Sequence, residues 1–254
     1  MKYIKNAFKG LYMSLGMFCA IPLPKSWDAS CMHLTMPCLP VVGALIGAMW
    51  WGVAELLVLC GLHTVLASAV LASFPFIITG FIHLDGYMDT SDAVLSRRSQ
   101  DDKLRILKDP HTGSFAVIML ALVFIMQFAA AFAVIENGKH FSLLIVISVV
   151  SRCGAAVSVL FLKPIAQSMY AKIFKKDTGL QHKAVAIYFA ACSVTAAWLI
   201  ADAAGIAVAA ATALGYLAGM AFSYKSLRGV SGDLAGFSLV LGELCGLIAF
   251  AVIY

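Results

Sequence analysis

Three aspartates lie close together in the run His83-Leu84-Asp85-Gly86-Tyr87-Met88-Asp89-Thr90-Ser91-Asp92. Asp85, Asp89 and Asp92 are spaced i, i+4 and i+7, so on a helix they fall within roughly 60° of one another. We call them the acidic stripe. Stacked carboxylates repel one another, and no Lys or Arg stands three or four residues away to offset this. The stripe therefore predicts a site for Mg²⁺ or Mn²⁺, which prefer carboxylate oxygens, with a solvated helix face at a membrane surface as the alternative.

A basic run follows the stripe, Arg105-Ile106-Leu107-Lys108-Asp109-Pro110-His111-Thr112-Gly113-Ser114. Arg105 and Lys108 would be neighbours on a helix, and Asp109 before Pro110 is pushed out of the helical region. Backbone N–H groups of Thr112 to Ser114, where an apolar segment begins, could bind an anion. Basic groups beside a metal-binding stripe are typical of phosphoryl transfer, although they could also be ordinary membrane-proximal residues.

Two further features could belong to a site. The run Gly229-Val230-Ser231-Gly232-Asp233-Leu234-Ala235-Gly236 is either a ligand-binding loop or a plain helix connector. Arg152 and Glu243 are ionisable residues inside apolar segments, and such residues usually face the protein interior and have partners. They either pair with each other or line a polar substrate cavity.

The composition is that of a membrane protein. Hydrophobic residues make up 62% of the chain and charged residues 12%, against about 25% charged in soluble domains. We expect one all-α, polytopic membrane domain over residues 1–254, which begins at 1–16 with a basic amphipathic helix at the membrane surface. The seven predicted spans are 40–62, 64–82, 114–135, 141–162, 184–203, 205–222 and 236–254.

The basic residues predict the orientation of these spans. With the spans so placed, sixteen of the 18 Lys and Arg residues lie on one side of the membrane. They are Lys2, Lys5, Lys9, Lys25, Arg97, Arg98, Lys103, Arg105, Lys108, Lys163, Lys172, Lys175, Lys176, Lys183, Lys225 and Arg228. The positive-inside rule then predicts a cytoplasmic N-terminus, an outside C-terminus and a cytoplasmic active-site loop over 83–113. The net charge of +5 follows from this asymmetry and calls for no nucleic-acid partner.

The residues described so far resemble the signature of the cobalamin synthase family. The run from His83 to Asp92 is similar to that family's H-L-D-G-x-x-D-T-x-D motif. The similarity continues, in the family's order and over essentially the full length, through Ile21 to Pro24, Arg105 to Gly113, Ser151-Arg152, Ser231 to Gly236 and Glu243.

The resemblance implies a multi-pass enzyme of the bacterial inner membrane, embedded in the lipid bilayer. It would join adenosylcobinamide-GDP to α-ribazole or its 5′-phosphate, release GMP and require Mg²⁺. Catalytic roles are implied for Asp85, Asp89, Asp92, Arg105, Lys108 and Asp233, with the acidic stripe holding the metal. Cofactor- or substrate-binding roles are implied for His83, Asp109, Gly232, Arg152 and Glu243. On a helix His83 lies roughly 160° from the stripe, so we do not expect it to ligate the same ion.

Two other classes of function stay open at this stage, and so does homo-oligomer formation. A CDP-alcohol phosphotransferase of lipid synthesis also carries aspartates at a membrane face, but its D-G-x-x-A-R start and second aspartate pair are missing here. An ion-coupled transporter could use Arg152 and Glu243 inside the membrane, although the sequence shows no inverted repeat.

Overall fold

The chain is predominantly helical in the part described by a computed structural model, which covers residues 2–24, 28–165, 168, 173–174 and 178–254. The predicted all-α class is confirmed. The described helices are α1 Lys2–Phe18, α2 Thr35–Leu59, α3 Thr64–Ile78, α4 Ile82–Leu95, α5 Gln100–Ile106, α6 Ser114–Asn137, α7 Leu143–Phe161, α8 Leu180–Leu227 and α9 Gly232–Ile253, with a 3₁₀ helix at Ala29–Leu34 before α2. Lys25, Lys172, Lys175 and Lys176, which enter the charge asymmetry, lie outside the described residues.

Several helices can cross a membrane, as predicted. Among the described residues, α2 with its 3₁₀ extension, α6, α7, α8 and α9 are long and apolar enough, and α3 with α4 would make a sixth crossing if the bent pair counts as one. The helix predicted at 1–16 is found as α1. The count of seven spans and the orientation stay predictions.

The fifth and sixth predicted spans form α8, which is broken in the middle. Its 48 residues would measure about 72 Å if straight, more than twice the thickness of the hydrocarbon layer. Ala201 and Asp202 have non-helical backbone angles, with φ of +48° at Asp202. Beyond them, a side-chain carbon on Gly205 would collide with the Ala197 carbonyl oxygen. The chain therefore folds back on itself here, close to the predicted boundary between 203 and 205.

The second predicted span, 64–82, is not one straight helix. α3 has 15 residues and is about 22 Å long, short of the roughly 30 Å needed. Gly80 and Phe81 both have positive φ, and the chain bends by 88° between α3 and α4. Both helices lie along α6, since Gln127 Nε2 donates to the Ala72 carbonyl at 3.0 Å and Tyr87 Oη to the Met119 carbonyl at 3.4 Å. The sequence thus located this apolar segment but not the left-handed turn near its end, and whether the segment crosses the membrane stays a prediction.

α7 and α9 form the centre of the bundle, with 78% and 61% of their spanning windows buried, against 33% for α6. Two of the apolar clusters among the described residues contain side chains from both helices. One contains Trp50, Leu144 and Phe250. The other contains Met36 and Val159 and surrounds the cavity described below.

The two ends of the bundle differ. At one end, Lys103 Nζ donates to Ser226 Oγ at 2.7 Å, and the Ile165 N–H donates to the Val230 carbonyl at 3.0 Å. At the other, the rings of His140 and Tyr254 stack at 4.7 Å. The segments predicted to be cytoplasmic thus meet at one end, together with the acidic stripe.

Candidate active site

The acidic stripe lies on a helix, as predicted. α4 carries Asp85, which is exposed, and Asp89 and Asp92, which are half-buried. The opposite side of α4 is apolar and includes Leu84 and Tyr87, which pack in a cluster with residues of α6 and α9. This packing fixes the rotation of α4 and turns the carboxylates towards the end of the bundle.

Asp92 caps the N-terminus of α6. Its Oδ2 accepts from the Gly113 N–H at 2.6 Å and its Oδ1 from the Ala116 N–H at 3.0 Å. The first N–H groups of a helix have no partner within it and carry partial positive charge, so a carboxylate there is stabilising. We expected an external anion at Thr112 to Ser114; that was wrong for Gly113, because Asp92 already occupies its N–H. The cap also relieves part of the repulsion in the stripe.

Replacing Asp92 by Ala is therefore expected to destabilise the protein by about 0.5–2 kcal/mol, the usual cost of losing a helix cap. Asp92→Asn keeps a side-chain oxygen and should lose clearly less. Thermal unfolding of the purified protein in detergent measures both. Equal losses for Ala and Asn would show that the cap is not what Asp92 contributes.

A fourth carboxylate, Asp233, joins the stripe. A side-chain carbon on Gly86 of α4 would lie 2.8 Å from Asp233 Cα, and one on Gly236 of α9 would lie 3.1 Å from the His83 carbonyl oxygen. These contacts show that the α4 and α9 backbones nearly touch. Through this contact the negative charge of Asp233 acts on Asp89 together with those of Asp85 and Asp92 from its own helix. Ser231 caps α9 and donates its hydroxyl to Asp233 Oδ2 at 3.1 Å, which orients that carboxylate.

Gly86→Ala should force α4 and α9 apart, because the added carbon meets backbone atoms that cannot rotate away. We expect a loss of about 1–3 kcal/mol, typical of overpacking, and a clear loss of activity as Asp233 moves from the stripe. Gly52→Ala is the matched control, since nothing lies within 4 Å of the added carbon there. Unfolding and turnover are compared for both variants. A Gly86→Ala protein as stable and active as Gly52→Ala would contradict the close crossing.

A cavity of about 810 Å³ opens beside two of these carboxylates, Asp85 and Asp233, whereas Asp89 and Asp92 are outside its described lining. Asp85, Asp233 and Lys108 are the charged side chains among its described lining residues. His83 is also in the wall; it is 8% exposed, its ring stacks on Phe18 at 5.9 Å, and its Nε2 has no hydrogen-bond partner among the described residues. Gly232 leaves open space where a side chain would begin. The cavity thus combines a charged edge with a larger apolar wall.

Only part of the basic run lies at this cavity. Lys108 lines it, whereas Arg105 lies on α5, 82% exposed, beside Asp102 at 3.6 Å. Asp109 lies in an exposed turn and accepts the His111 N–H at 3.0 Å. That bond and the His111 ring hold the pKa of the Asp109 carboxyl below its ordinary value. Neither Arg105 nor Asp109 is among the described lining residues, so their roles stay predictions.

Arg152 and Glu243 form a buried ion pair between α7 and α9, with side chains 1% and 4% exposed. Ser151 Oγ lies between them, 3.1 Å from Arg152 Nη1 and 3.3 Å from Glu243 Oε1. Neither charged residue belongs to the described cavity lining. Of the two alternatives that the sequence left open, the structure shows the pairing.

The carboxylate oxygens are suitable ligands for Mg²⁺, but the described side chains do not by themselves form a complete coordination site. None of the ion pairs among the described residues involves Asp85, Asp89 or Asp233, so these hard oxygen donors have no cationic partner. In the same part of the chain, no three His, Cys, Asp or Glu side chains lie close enough together to hold a metal ion. Mg²⁺ usually takes one or two carboxylates together with substrate phosphates and water. The donor set fits that mode of binding.

The apolar residues that complete the cavity were not predicted from the sequence, among them Met17 and Phe18 at the end of α1. They lie more than 60 positions before the acidic stripe in the sequence. Their spacing shows only an amphipathic helix, and no local pattern indicates that its end reaches His83. Such a contact emerges only when the helices have been placed.

Comparison with known proteins gives one consistent result. A family model described as cobalamin-5-phosphate synthase matches residues 10–251. An adenosylcobinamide-GDP ribazoletransferase of Clostridium botulinum (strain Alaska E43 / Type E3) is 38% identical over 247 residues, covering 97% of this chain and 98% of that protein. Proteins of the same name from a Type A strain of Clostridium perfringens and from Geobacillus kaustophilus are 36% and 29% identical, covering 98% and 94% of this chain and 100% and 94% of their own lengths. No solved structure matches.

Proposed function

The chain belongs to the cobalamin-5-phosphate synthase family, whose enzymes act in the final assembly of cobalamin, and we propose that it joins adenosylcobinamide-GDP to α-ribazole or its 5′-phosphate. The products are adenosylcobalamin or its 5′-phosphate, together with GMP. The observation that carries the proposal is the cavity, in which two carboxylates and a lysine stand at the edge of an apolar chamber. The family assignment also favours this activity over a CDP-alcohol phosphotransferase or an ion-coupled transporter.

In the proposed reaction, a ribose hydroxyl of the acceptor attacks the phosphorus next to the cobinamide. A new P–O bond forms, the bond to the bridging oxygen of the diphosphate breaks, and GMP leaves with that oxygen. Asp85 and Asp233 both line the cavity, and either carboxylate can take the hydroxyl proton. Lys108, at the same edge, would neutralise charge on the departing phosphate.

Mg²⁺ is part of the proposal, and one or two of the carboxylates of Asp85, Asp89 and Asp233 would hold it together with the phosphates of the substrate. When bound, it would neutralise charge on the diphosphate. Asp92 would contribute mainly by fixing the start of α6 against α4, since its two oxygens already accept backbone N–H groups. Ser231 would keep Asp233 oriented through the hydroxyl contact at 3.1 Å.

The test uses the purified chain in liposomes with adenosylcobinamide-GDP, α-ribazole and Mg²⁺. We expect a corrinoid product and GMP to appear together, activity to stop on chelation by EDTA, and excess Mg²⁺ to restore it. A parallel reaction with a CDP-linked lipid and its alcohol acceptor should give nothing. Turnover of the lipid pair instead of the corrinoid pair would overturn the proposal, and undiminished activity in EDTA would overturn the metal dependence.

A further inference from the structure

The walls of the cavity divide by chemistry. Its described charged residues come from α4, from the segment after α5 and from the first turn of α9. The side chains contributed by α1, α2 and α7 are all apolar: Met17, Phe18, Met36, Leu39, Ala155 and Val159. Because apolar walls penalise charged or hydrogen-bonding groups, the two sides must face different parts of the substrates.

The cavity is larger than phosphate chemistry requires. At about 810 Å³ it falls in the range of sites that enclose a drug-sized molecule. The diphosphate belongs at the charged edge, beside Asp85, Asp233 and Lys108. The space against α1, α2 and α7 is therefore left for an uncharged and largely apolar group.

Resting on the proposed function, we infer that this apolar wall binds the aromatic base of the ribazole acceptor and selects apolar bases over purines. Of the groups that the two substrates bring, guanine presents several hydrogen-bonding edges and the corrin ring carries polar amide side chains. The dimethylbenzimidazole of α-ribazole is a flat bicycle with an apolar methylated edge. It is attached to the ribose that carries the attacking hydroxyl, so seating it here places that hydroxyl at the carboxylates.

The expected selectivity follows because the side chains of α1, α2 and α7 in this wall carry no hydrogen-bonding groups. A purine base would bury ring nitrogens and an amino group against the side chains of α1, α2 and α7, which offer no hydrogen bond. His83 Nε2, on the ring that stacks on Phe18, can satisfy one of these groups but not all of them, so burying the rest is unfavourable. Small differences of this kind in a hydrophobic pocket discriminate by about 10- to 200-fold. Met17 and Met36 are flexible enough to adapt to apolar bases of somewhat different shape.

The first experiment compares acceptors with the full-length protein in liposomes. We expect KM to be about 10- to 100-fold lower for α-ribazole than for the α-linked riboside of adenine, with KM for adenosylcobinamide-GDP the same in both reactions. Equal KM values for the two acceptors would overturn the inference.

The second experiment narrows the chamber. Ala155 is 4% exposed and lies in the apolar wall. Ala155→Leu should raise KM for α-ribazole by about 10-fold, raise it less for the riboside of unsubstituted benzimidazole, and leave KM for adenosylcobinamide-GDP unchanged. Ala210→Leu is the matched control, because Ala210 is exposed on α8 and outside the described lining. If Ala155→Leu does not fold, Leu39→Ala is used instead. It removes volume from the same apolar wall, so the larger chamber should admit bulkier benzimidazoles.

The outcomes separate this inference from the proposed function. No product with any acceptor would overturn the proposed function itself. If Ala155→Leu turns over normally and only its KM for adenosylcobinamide-GDP changes, the corrinoid lies against this wall and the inference is overturned. Normal turnover with a bound lipid in the chamber, and no effect of Ala155→Leu on KM for the acceptor, would overturn it too.

Discussion

Replacing Asp89 by Asn is expected to lower turnover by about 10²- to 10³-fold, the loss typical of removing one preorganised electrostatic group from an active site. Asp89 is half-buried and experiences the charges of Asp85, Asp233 and Asp92. The amide keeps the shape of the side chain and removes its negative charge. A cluster that binds a cation depends on that charge, whereas a merely solvated helix face does not.

The same substitution should leave the folded protein as stable as before or more stable, since it relieves repulsion among the carboxylates. Turnover and thermal unfolding are therefore measured on the same preparation. Asp101→Asn is the control, because Asp101 is an exposed aspartate on α5 and does not belong to the carboxylate cluster around Asp89. Near-normal turnover of Asp89→Asn would show that the stripe has no catalytic role.

Removing Glu243 should have the largest effect on stability. Glu243→Ala leaves the guanidinium of Arg152 buried without its carboxylate, and breaking a buried pair in this way costs about 3–5 kcal/mol. Ser151 also loses its contact with Glu243 Oε1. We expect a much lower unfolding midpoint in detergent and poor recovery from the membrane.

The double variant Arg152→Met with Glu243→Leu distinguishes a broken pair from poor packing. It removes both charges and fills similar volume, so most of the lost stability should return. In whatever fraction of either variant folds, KM for both substrates should be unchanged, because neither residue is in the described cavity lining. A stable Glu243→Ala protein with a raised KM would instead support the substrate-binding role implied by the resemblance.

Much of the fold followed from simple sequence patterns. Apolar segments long enough to span a membrane predicted most of the helices, and the spacing of Asp85, Asp89 and Asp92 predicted α4. The right-angled turn at Gly80 and Phe81 was not predicted, because hydropathy measures how apolar a segment is and carries no information on backbone direction. The same holds for the exact form of the break at Ala201 and Asp202.

The sequence predicted only part of the candidate site, again because it carries little information on how the helices pack. The acidic residues stand out in an apolar chain, so Asp233 was identified along with the stripe. Its position against Gly86 depends on how two helices cross, and the cap formed by Asp92 depends on where α6 begins in space. In the sequence, apolar residues of the cavity wall such as Met36 and Val159 cannot be distinguished from ordinary core residues. Long-range packing, rather than local pattern, distinguishes these residues.

The central claim, that this carboxylate-edged cavity carries out the transfer, is tested most directly by counting both products in one reaction. Wild-type protein in liposomes receives adenosylcobinamide-GDP, α-ribazole and Mg²⁺, and the GMP and the new corrinoid are quantified together, with folded Asp89→Asn in parallel. We predict that the wild type forms one GMP for each corrinoid product and that both fall together in the variant. GMP release without the corrinoid product, or equal yields from the two proteins, would contradict the account.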